Sequence, residues 1–242
     1  MLHKIKGILL KRIKYGDNSK IVSVFTGEFG KQSYIVFSGK SKKKRIAERY
    51  LQPLFILDME VYIKPNRSLN TVKELSPEVN LLSLSADIRK NAVSQLVAEL
   101  IDKTVKEEEP DSLLYDFLVS AIQLLDNAEA KISNYTPAFL AKYSRFLGLM
   151  PENNYSDTHK VFDYESGKFI IGRPTHKNFL AGEAAQKFHQ FISIALSDFA
   201  DTDITKSERS SINQAFIDYF NYHLGKPGKL KTLEIYTEIF AS

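Results

Sequence analysis

The fold is decided by residues 21–37, which read IVSVFTGEFGKQSYIVF. β-Branched and aromatic residues form a run at each end of this stretch, and Gly27 and Gly30 lie between the two runs. Runs of this composition are typical of β-strands, and glycines between them are typical of a turn. The stretch therefore predicts two consecutive short strands.

Three more strand-like runs surround this pair. An irregular apolar pattern extends from Ile5 to Tyr15, residues 54–63 end in alternating apolar and polar positions, and residues 69–75 form a short last run. Five short strands in about 80 residues, with no long helix between them, predict a small closed or partly closed barrel. We favour an OB-fold, with an SH3-like barrel as the alternative.

The apolar period becomes that of α-helices after Leu84. Ser85 is the candidate N-cap of a first helix that ends near Pro110, and Gly148 is the candidate C-cap of a later helix. Further helices are predicted from about residue 111, over 136–147, and over about 179–198, 206–224 and 230–240. Prolines and glycines in residues 150–178 predict an irregular insert that holds a small hairpin.

The sequence thus predicts an α+β protein with two domains. An OB-fold nucleic-acid-binding domain spans residues 1–80. An α-helical domain spans residues 81–242 and contains the loop-rich insert.

Positive charge is concentrated in the predicted barrel. Residues 1–80 carry 16 Lys and Arg against 7 Asp and Glu, a net of +9, whereas residues 81–242 carry 17 against 22, a net of −5. A basic module joined to a mildly acidic module suggests that one half contacts a polyanion. The alternative is that these charges only keep the surface solvated.

The strongest cluster of positive charge is KSKKKR at residues 40–45, between two strand-like runs. A flexible basic loop can neutralise phosphates without reading bases, and aromatic rings beside it can stack on bases. The candidate rings are Tyr34, Phe37, Tyr50 and Phe55, each of which could instead fill the barrel core. The predicted nucleic-acid-binding residues are Lys31, Tyr34, Lys40, Lys42, Lys43, Lys44, Arg45 and Arg49.

Several kinds of chemistry find no support in the sequence. The chain has no cysteine, which excludes disulfides, thiolate zinc sites and Fe–S clusters, and its five histidines lack metal-ligand spacing. No phosphate-cradling glycine loop and no Gly-x-Ser-x-Gly elbow occurs. We therefore expect a binding protein without a metal or other cofactor, not an enzyme. The N-terminus lacks the apolar core of a signal peptide, so we expect a cytoplasmic protein that no membrane anchors.

Six segments of the chain resemble, in the correct order, the RecO family of bacterial recombination mediators. The first, YGDNSKIVSVFT at residues 15–26, is similar to the family's Tyr-Gly-Glu-x-x-x-Ile-Val-x-x-Phe-Thr segment, with Asp17 where Glu is usual. Gly30-Lys31 follows, as in the family. The other segments are Gly39-Lys40 with the basic run, Leu51-Gln52-Pro53, ELI at 99–101 with Glu109-Pro110, FLGLMP at 146–151, and YHLG at 222–225 with LKT at 230–232.

The resemblance implies a protein that binds single- and double-stranded DNA, anneals complementary strands and loads a recombinase onto strands coated by single-strand-binding protein. It implies RecR and the C-terminal tail of the single-strand-binding protein as partners, with the tail bound by the helical domain. It implies no ATP hydrolysis.

Many family members carry a four-cysteine zinc ribbon just after the Leu-Gly-x-x-Pro segment, whereas residues 152–178 here contain no cysteine. We therefore expect packing, not metal, to hold the insert together. The candidate packing residues are Tyr155, Phe162, Tyr164, Phe169 and Ile171.

Two other classes of function stay open on the residues alone. One is an RNA- or ribosome-associated OB-fold protein, because stacking and phosphate contacts do not separate RNA from single-stranded DNA without contacts to the 2′-hydroxyl. The other is a protein-interaction scaffold whose basic loop only improves solubility.

Overall fold

A computed structural model describes residues 1–37, 48–63, 69–106, 109–225 and 230–240. The chain folds as two compact units, residues 1–127 and residues 128–242. Each unit has its own set of buried apolar side chains.

The first unit is built on a closed five-stranded barrel in which the strands neighbour one another in the order β1-β2-β3-β5-β4. Neighbouring strands are antiparallel except β3 and β5, which pair in parallel. This order and this mixture of directions are those of an OB-fold, so the structure confirms the predicted fold class. The strands are β1 (Leu2–Gly16), β2 (Ser19–Thr26), β3 (Gly30–Phe37), β4 (Ile56–Tyr62) and β5 (Asn70–Pro77).

Strand β1 closes the barrel because it is long enough to pair with two neighbours. Residues 2–8 pair with β4, and residues 8–16 pair with β2. The register shifts between Leu9 and Lys11, which leaves Leu10 as a bulged residue. Alternate residues of the strands fill the interior and are at most 1% exposed: Val22, Val24, Tyr34, Val36, Met59 and Val61.

Three helices follow the barrel in the first unit: α1 (Leu82–Ala86), α2 (Ile88–Thr104) and α3 (Ser112–Asn127). The predicted helix start at Ser85 is wrong, because the long helix α2 begins after Asp87. The Asp87 carboxylate accepts a hydrogen bond from the backbone N–H of Arg89 at 2.8 Å. A carboxylate in this position satisfies a donor that the first helical turn leaves without a partner.

Polar contacts at the end of α3 hold the three helices together. The Asp126 carboxylate accepts hydrogen bonds from the backbone N–H groups of Ser83 at 2.9 Å and Leu84 at 2.8 Å. The buried Lys90 of α2 donates to the main-chain oxygen of Asp126 at 2.6 Å. The helices belong to the same compact unit as the barrel. The predicted boundary between an OB-fold domain of residues 1–80 and a helical domain of residues 81–242 stays a prediction.

The second unit contains the helices α4 (Tyr135–Tyr143), α5 (Glu183–Ser193), α6 (Lys206–His223) and α7 (Thr232–Ile239). The predicted helices match these within a few residues at most ends. Gly148 adopts a φ of +69°, and the N–H of Leu149 donates to the carbonyl of Ser144 at 2.8 Å. These features close the turn of residues 144–148 that follows α4. The helix itself ends at Tyr143, four residues before the predicted end at Leu147, so Gly148 is not its C-cap.

The insert forms a small sheet of β6 (Val161–Asp163), β7 (Lys168–Ile170) and β8 (Phe179–Leu180). Phe162 and Phe169 are fully buried. The centre of the Phe162 ring lies 4.6 Å from that of Phe188 in α5 and 5.3 Å from that of Tyr219 in α6. The insert is therefore packed through its aromatic side chains. Ile171 is 70% exposed, so its predicted part in this packing is wrong.

The turn of this hairpin is organised by Asp163. Its carboxylate accepts the Ser166 hydroxyl at 2.6 Å and the Ser166 N–H at 3.1 Å. Burial alone would raise the pKa of Asp163, but these donors outweigh burial and lower the pKa. Tyr164 is 7% exposed beside the turn, and the Tyr155 ring contacts the edge of the Phe169 ring.

Within the described ranges, no helix has both the length and the apolar character that a membrane span requires. In the same ranges, no group of three or more His, Asp or Glu side chains is placed to hold a metal ion.

Replacing Phe162 with Ala should lower the free energy of unfolding by about 3–5 kcal/mol, because the smaller side chain leaves a cavity under α5 and α6. Ile171→Ala is the control, and its effect should stay within about 0.5 kcal/mol because that side chain already lies in water. Urea unfolding followed by circular dichroism measures both. Equal destabilisation of the two variants, or a lower melting temperature after a chelator is added, would contradict packing as the means of holding the insert.

Candidate nucleic-acid interface

One end of the barrel is formed by the β1–β2 hairpin. Beyond the bulge, the five consecutive residues Lys11–Tyr15 are all exposed. Tyr15 is 61% exposed and Ile13 is 50% exposed. Lys14 lies directly opposite Lys20 of β2. The register therefore brings two cations to one position, where an anion can be held between them.

The outer face of the hairpin end carries apolar side chains in line. Ile13, Ile21 and Ile35 share one register position across β1, β2 and β3. Phe37, the last residue of β3, lies two residues beyond Ile35 on the same face and pairs with Ser19. Its side chain is 51% exposed. Rings that can stack on bases and cations that can meet phosphates are the two elements of a site for single-stranded nucleic acid.

The chain leaves β3 at this end of the barrel, where Phe37 lies opposite Ser19. The predicted basic run follows three residues later in the sequence. Its residues lie outside the described ranges, so their role as phosphate contacts stays a prediction. These residues are Lys40, Lys42, Lys43, Lys44 and Arg45.

One carboxylate pairs with two of the other cations of the barrel. Asp102 of α2 accepts the Ser23 hydroxyl at 3.0 Å, and its two carboxylate oxygens lie 3.8 Å from the Nζ atoms of Lys11 and Lys31. Lys31 also donates to the main-chain oxygen of Asp102 at 2.5 Å, and its side chain is 14% exposed. The structure therefore corrects the prediction for Lys31, because its ammonium group is covered and held by the protein.

Tyr34 lies inside the barrel and is fully buried. Burial raises the pKa of its hydroxyl to about 12, and no described residue forms a hydrogen bond with that hydroxyl. A base cannot stack on a ring without exposed surface, so the structure also corrects the prediction of Tyr34 as a nucleic-acid contact. Phe55 is 8% exposed and is excluded for the same reason, whereas Tyr50 is half-buried and Phe37 is open.

Arg49 and Tyr50 form a stacked pair just before the buried Leu51. The guanidinium carbon of Arg49 lies 4.7 Å from the centre of the Tyr50 ring, and Nη2 donates to the Tyr50 hydroxyl at 2.5 Å. Arg49 is exposed. A guanidinium group held flat against a ring can contact a phosphate or a base, so Arg49 stays a predicted contact.

Sequence reasoning passed over Arg12, Lys14 and Tyr15. In KRIKY, at residues 11–15, they resemble the solvated part of an ordinary strand. One feature of the sequence could have indicated them: three of the four residues 11–14 are cations, and they come just before the Gly-Asp-Asn turn at residues 16–18. A turn between the first two strands of an OB-fold is a known ligand-binding position, which gives that density a meaning.

Two family models match the chain in succession. The model described as "Recombination protein O N terminal" matches residues 1–78, and the model described as "Recombination protein O C terminal" matches residues 85–234. The first match contains the barrel and its hairpin. The second contains α2 and α3 of the first unit, and α4, α5, α6 and the first residues of α7 of the second unit.

Curated relatives are similar over their whole length. The DNA repair protein RecO of Azobacteroides pseudotrichonymphae genomovar. CFP2 is 31% identical over 240 residues, which are 99% of this chain and 100% of the relative. The protein of the same description from Phocaeicola vulgatus is 29% identical over 241 residues, with 100% of both chains covered. That of Flavobacterium psychrophilum is 30% identical over 242 residues, covering 98% of this chain and 99% of the relative.

Replacing Asp102 with Ala should lower the free energy of unfolding by about 1–3 kcal/mol, because the Ser23 hydroxyl loses its acceptor and the covered Lys31 ammonium loses its counter-charge. Asp116→Ala is the control, since Asp116 lies exposed on α3 and should change stability by no more than about 0.5 kcal/mol. Chemical denaturation of both variants measures the difference. Equal stability of the two variants would mean that Asp102 does not hold α2 to the barrel.

Proposed function

The chain belongs to the RecO family of DNA repair proteins and has a role in recombinational DNA repair, and we propose that it fills this role by binding single- and double-stranded DNA. In this proposal it anneals complementary strands and loads a recombinase onto strands coated by single-strand-binding protein, with RecR as a partner. No covalent step is involved, so it acts as a binding protein rather than an enzyme.

The hairpin end of the barrel is the observation that carries DNA binding. Arg12 and Lys14 are exposed there on the face that continues from the inward-facing Val22 and Val36, and the ring of Phe37 is exposed on the outer face. The Tyr15 ring is exposed next to Lys14, at the register shift that ends the hairpin. OB-folds bind oligonucleotides through the face of strands 2 and 3 and through the loop between strands 1 and 2. In this chain those same surfaces carry the exposed cations and rings, and the basic run follows in sequence.

The same chemistry suits strand annealing. Phosphate contacts position a strand without reading its sequence, so the base edges stay available for pairing with a second strand. Cations on one surface also reduce the repulsion between two strands that are held close together. A site that consists mainly of cations and has only a few rings therefore leaves most bases of a bound strand free to pair with a complementary strand.

Replacing Arg12 and Lys14 together with Ala should weaken binding of single-stranded DNA of any sequence. The slope of log affinity against log salt concentration should flatten by about 1.4, at about 0.7 for each phosphate that the variant no longer neutralises. Replacing the cations at residues 42–45 with Ala should flatten the slope by about 2–4. Fluorescence anisotropy titrations at several salt concentrations measure both slopes.

The matched control replaces Lys4 and Lys6 with Ala, which removes the same charge from the other end of the barrel. Each of these lysines already has a glutamate partner, at 3.8 and 2.5 Å, so its removal should leave the slope unchanged. An equal change in the control would show that only net charge matters. Unchanged slopes in both the hairpin and the loop variants would exclude this surface, and tighter binding of a matched RNA would favour an RNA-associated role.

We also propose that the helical unit binds the acidic C-terminal tail of the single-strand-binding protein. A hollow between α6 and α7 supports this assignment, because Arg209 lies at its edge and Leu233, Tyr236 and Phe240 supply apolar lining. The Oδ1 atom of Asn213 is buried there and has no hydrogen-bond partner in the described part of the chain.

Replacing Arg209 with Ala should weaken binding of a tail peptide by about tenfold, since a charge-assisted contact contributes roughly 1.4 kcal/mol or more. The starting affinity should be micromolar, because a short tail buries little area and loses conformational freedom. Arg173→Ala removes an exposed arginine from the insert instead and should have no effect. Anisotropy with a labelled peptide measures all three proteins, and equal affinities would exclude this hollow.

A further inference from the structure

The barrel carries a second recessed site at the opposite end of β2 from the hairpin. A cavity of about 520 Å³ opens between the first half of β1, the β2–β3 turn and the start of α3. This volume lies within the range of about 300–1,000 Å³ that is usual for ligand sites. Among its lining residues are Lys4, Lys6, Glu28, Phe29, Asp58 and Tyr115.

The floor of this cavity is apolar, and one polar atom without a partner lies behind it. Ile5 is 5% exposed, and Phe29 is half-buried beside it in the lining. The Oη atom of Tyr115 is buried, and no described residue forms a hydrogen bond with it. Burial, with the nearby negative charges, raises the pKa of Tyr115, so its hydroxyl keeps its proton. The hydroxyl has almost no accessible surface, so it lies behind the floor and the ring is the part of Tyr115 that lines the cavity.

The rim of the cavity carries both signs of charge. The two lysines, Lys4 and Lys6, are each paired with a glutamate, at 3.8 and 2.5 Å. Glu28 and Asp58 are exposed, and neither has an ion-pair partner among the described residues. Asp58 lies directly opposite Lys6 in the register of β1 and β4, and Glu78, with a smaller contribution from Asp58, raises the pKa of Lys6. Carboxylates still outnumber ammonium groups at the mouth, which disfavours a phosphate-bearing ligand and favours a cation.

A smaller hollow of about 140 Å³ continues from the cavity and shares Lys4 and Asp58 with it. Its other lining residues include the acidic Glu60 and Glu74 of neighbouring strands. The two recesses together form a track across β1, β4 and β5. A track of this form fits an extended chain better than one compact small molecule.

We propose that this track is a docking groove for an extended segment of a partner protein that carries a large apolar side chain next to a lysine or arginine. The apolar side chain fills the cavity above Ile5 and Phe29, and the neighbouring cation lies near Asp58. The proposal does not depend on DNA binding, because the hairpin lies at the other end of β2.

The test uses three synthetic peptides and the full-length chain. The first peptide is Gly-Ser-Gly-Lys-Phe-Lys-Gly-Ser-Gly, the second has Ala in place of Phe, and the third has Glu in place of both lysines. The first should bind with a dissociation constant of about 0.1–1 mM, since so short a segment buries little area. The other two should bind at least about tenfold more weakly. Chemical-shift titration by NMR measures the affinities and locates the site.

Two pairs of matched variants tie that binding to the groove. Asp58→Asn should weaken the first peptide about threefold to tenfold, whereas Asp17→Asn, an equal change at the hairpin turn, should not. Phe29→Ala should weaken it by a similar factor because the apolar side chain of the peptide loses that ring, whereas Phe37→Ala, an equal change at the hairpin end, should not. Neither Asp58→Asn nor Phe29→Ala should alter the salt dependence of DNA binding.

Equal binding of the three peptides, or equal affinities within both variant pairs, would overturn the proposal. Binding of deoxycytidine monophosphate that depends on Phe29 would also overturn it, because the cavity would then be a nucleotide site. Loss of peptide binding with DNA binding intact would refute only the groove. Loss of DNA binding in the hairpin variants with peptide binding intact would leave the groove in place.

Discussion

The first unit depends on the carboxylate of Asp102, which holds the C-terminal part of α2 against the barrel. It accepts the Ser23 hydroxyl at 3.0 Å and stands 3.8 Å from the covered ammonium group of Lys31. Phe25, on the same outer face, is fully buried and lies 6.4 Å from the Tyr115 ring of α3. The helices thus cover this end of β2 and β3. The hairpin end remains exposed, which makes it the available surface for a polyanion.

This arrangement gives the two ends of the barrel different chemistry. Cations and exposed rings surround the hairpin, whereas carboxylates and an apolar cavity lie at the β2–β3 turn. Long-range fields of opposite sign would direct DNA to one end and a cationic protein segment to the other. In the proposed function the chain holds DNA while it contacts other proteins. Two chemically distinct ends of one small barrel would allow both contacts at the same time.

The sequence predicted the elements well where local pattern decides them, and less well where distant contacts do. Alternation and glycine turns indicated five strands and an OB-fold, whereas α4 ends at Tyr143, before the predicted cap at Gly148. The break between α1 and α2 was missed, because it depends on bonds from Ser83 to Asp126, 43 residues away. Lys31 has the right charge for a phosphate contact, but Asp102, 71 residues later, covers it. Arg12 and Lys14 became candidate DNA contacts only from the structure, which shows that they lie in the part of β1 that pairs with β2 and not with β4.

The most direct test of the hairpin as the DNA surface is ultraviolet crosslinking of the full-length chain to a single strand that contains 5-iodo-deoxyuridine. This base forms its bond with aromatic side chains that stack on it, and mass spectrometry of the digested complex identifies the residue. The account predicts crosslinks at Tyr15 or Phe37. Crosslinks at Phe29 or Tyr62, or in the helical unit alone, would contradict it.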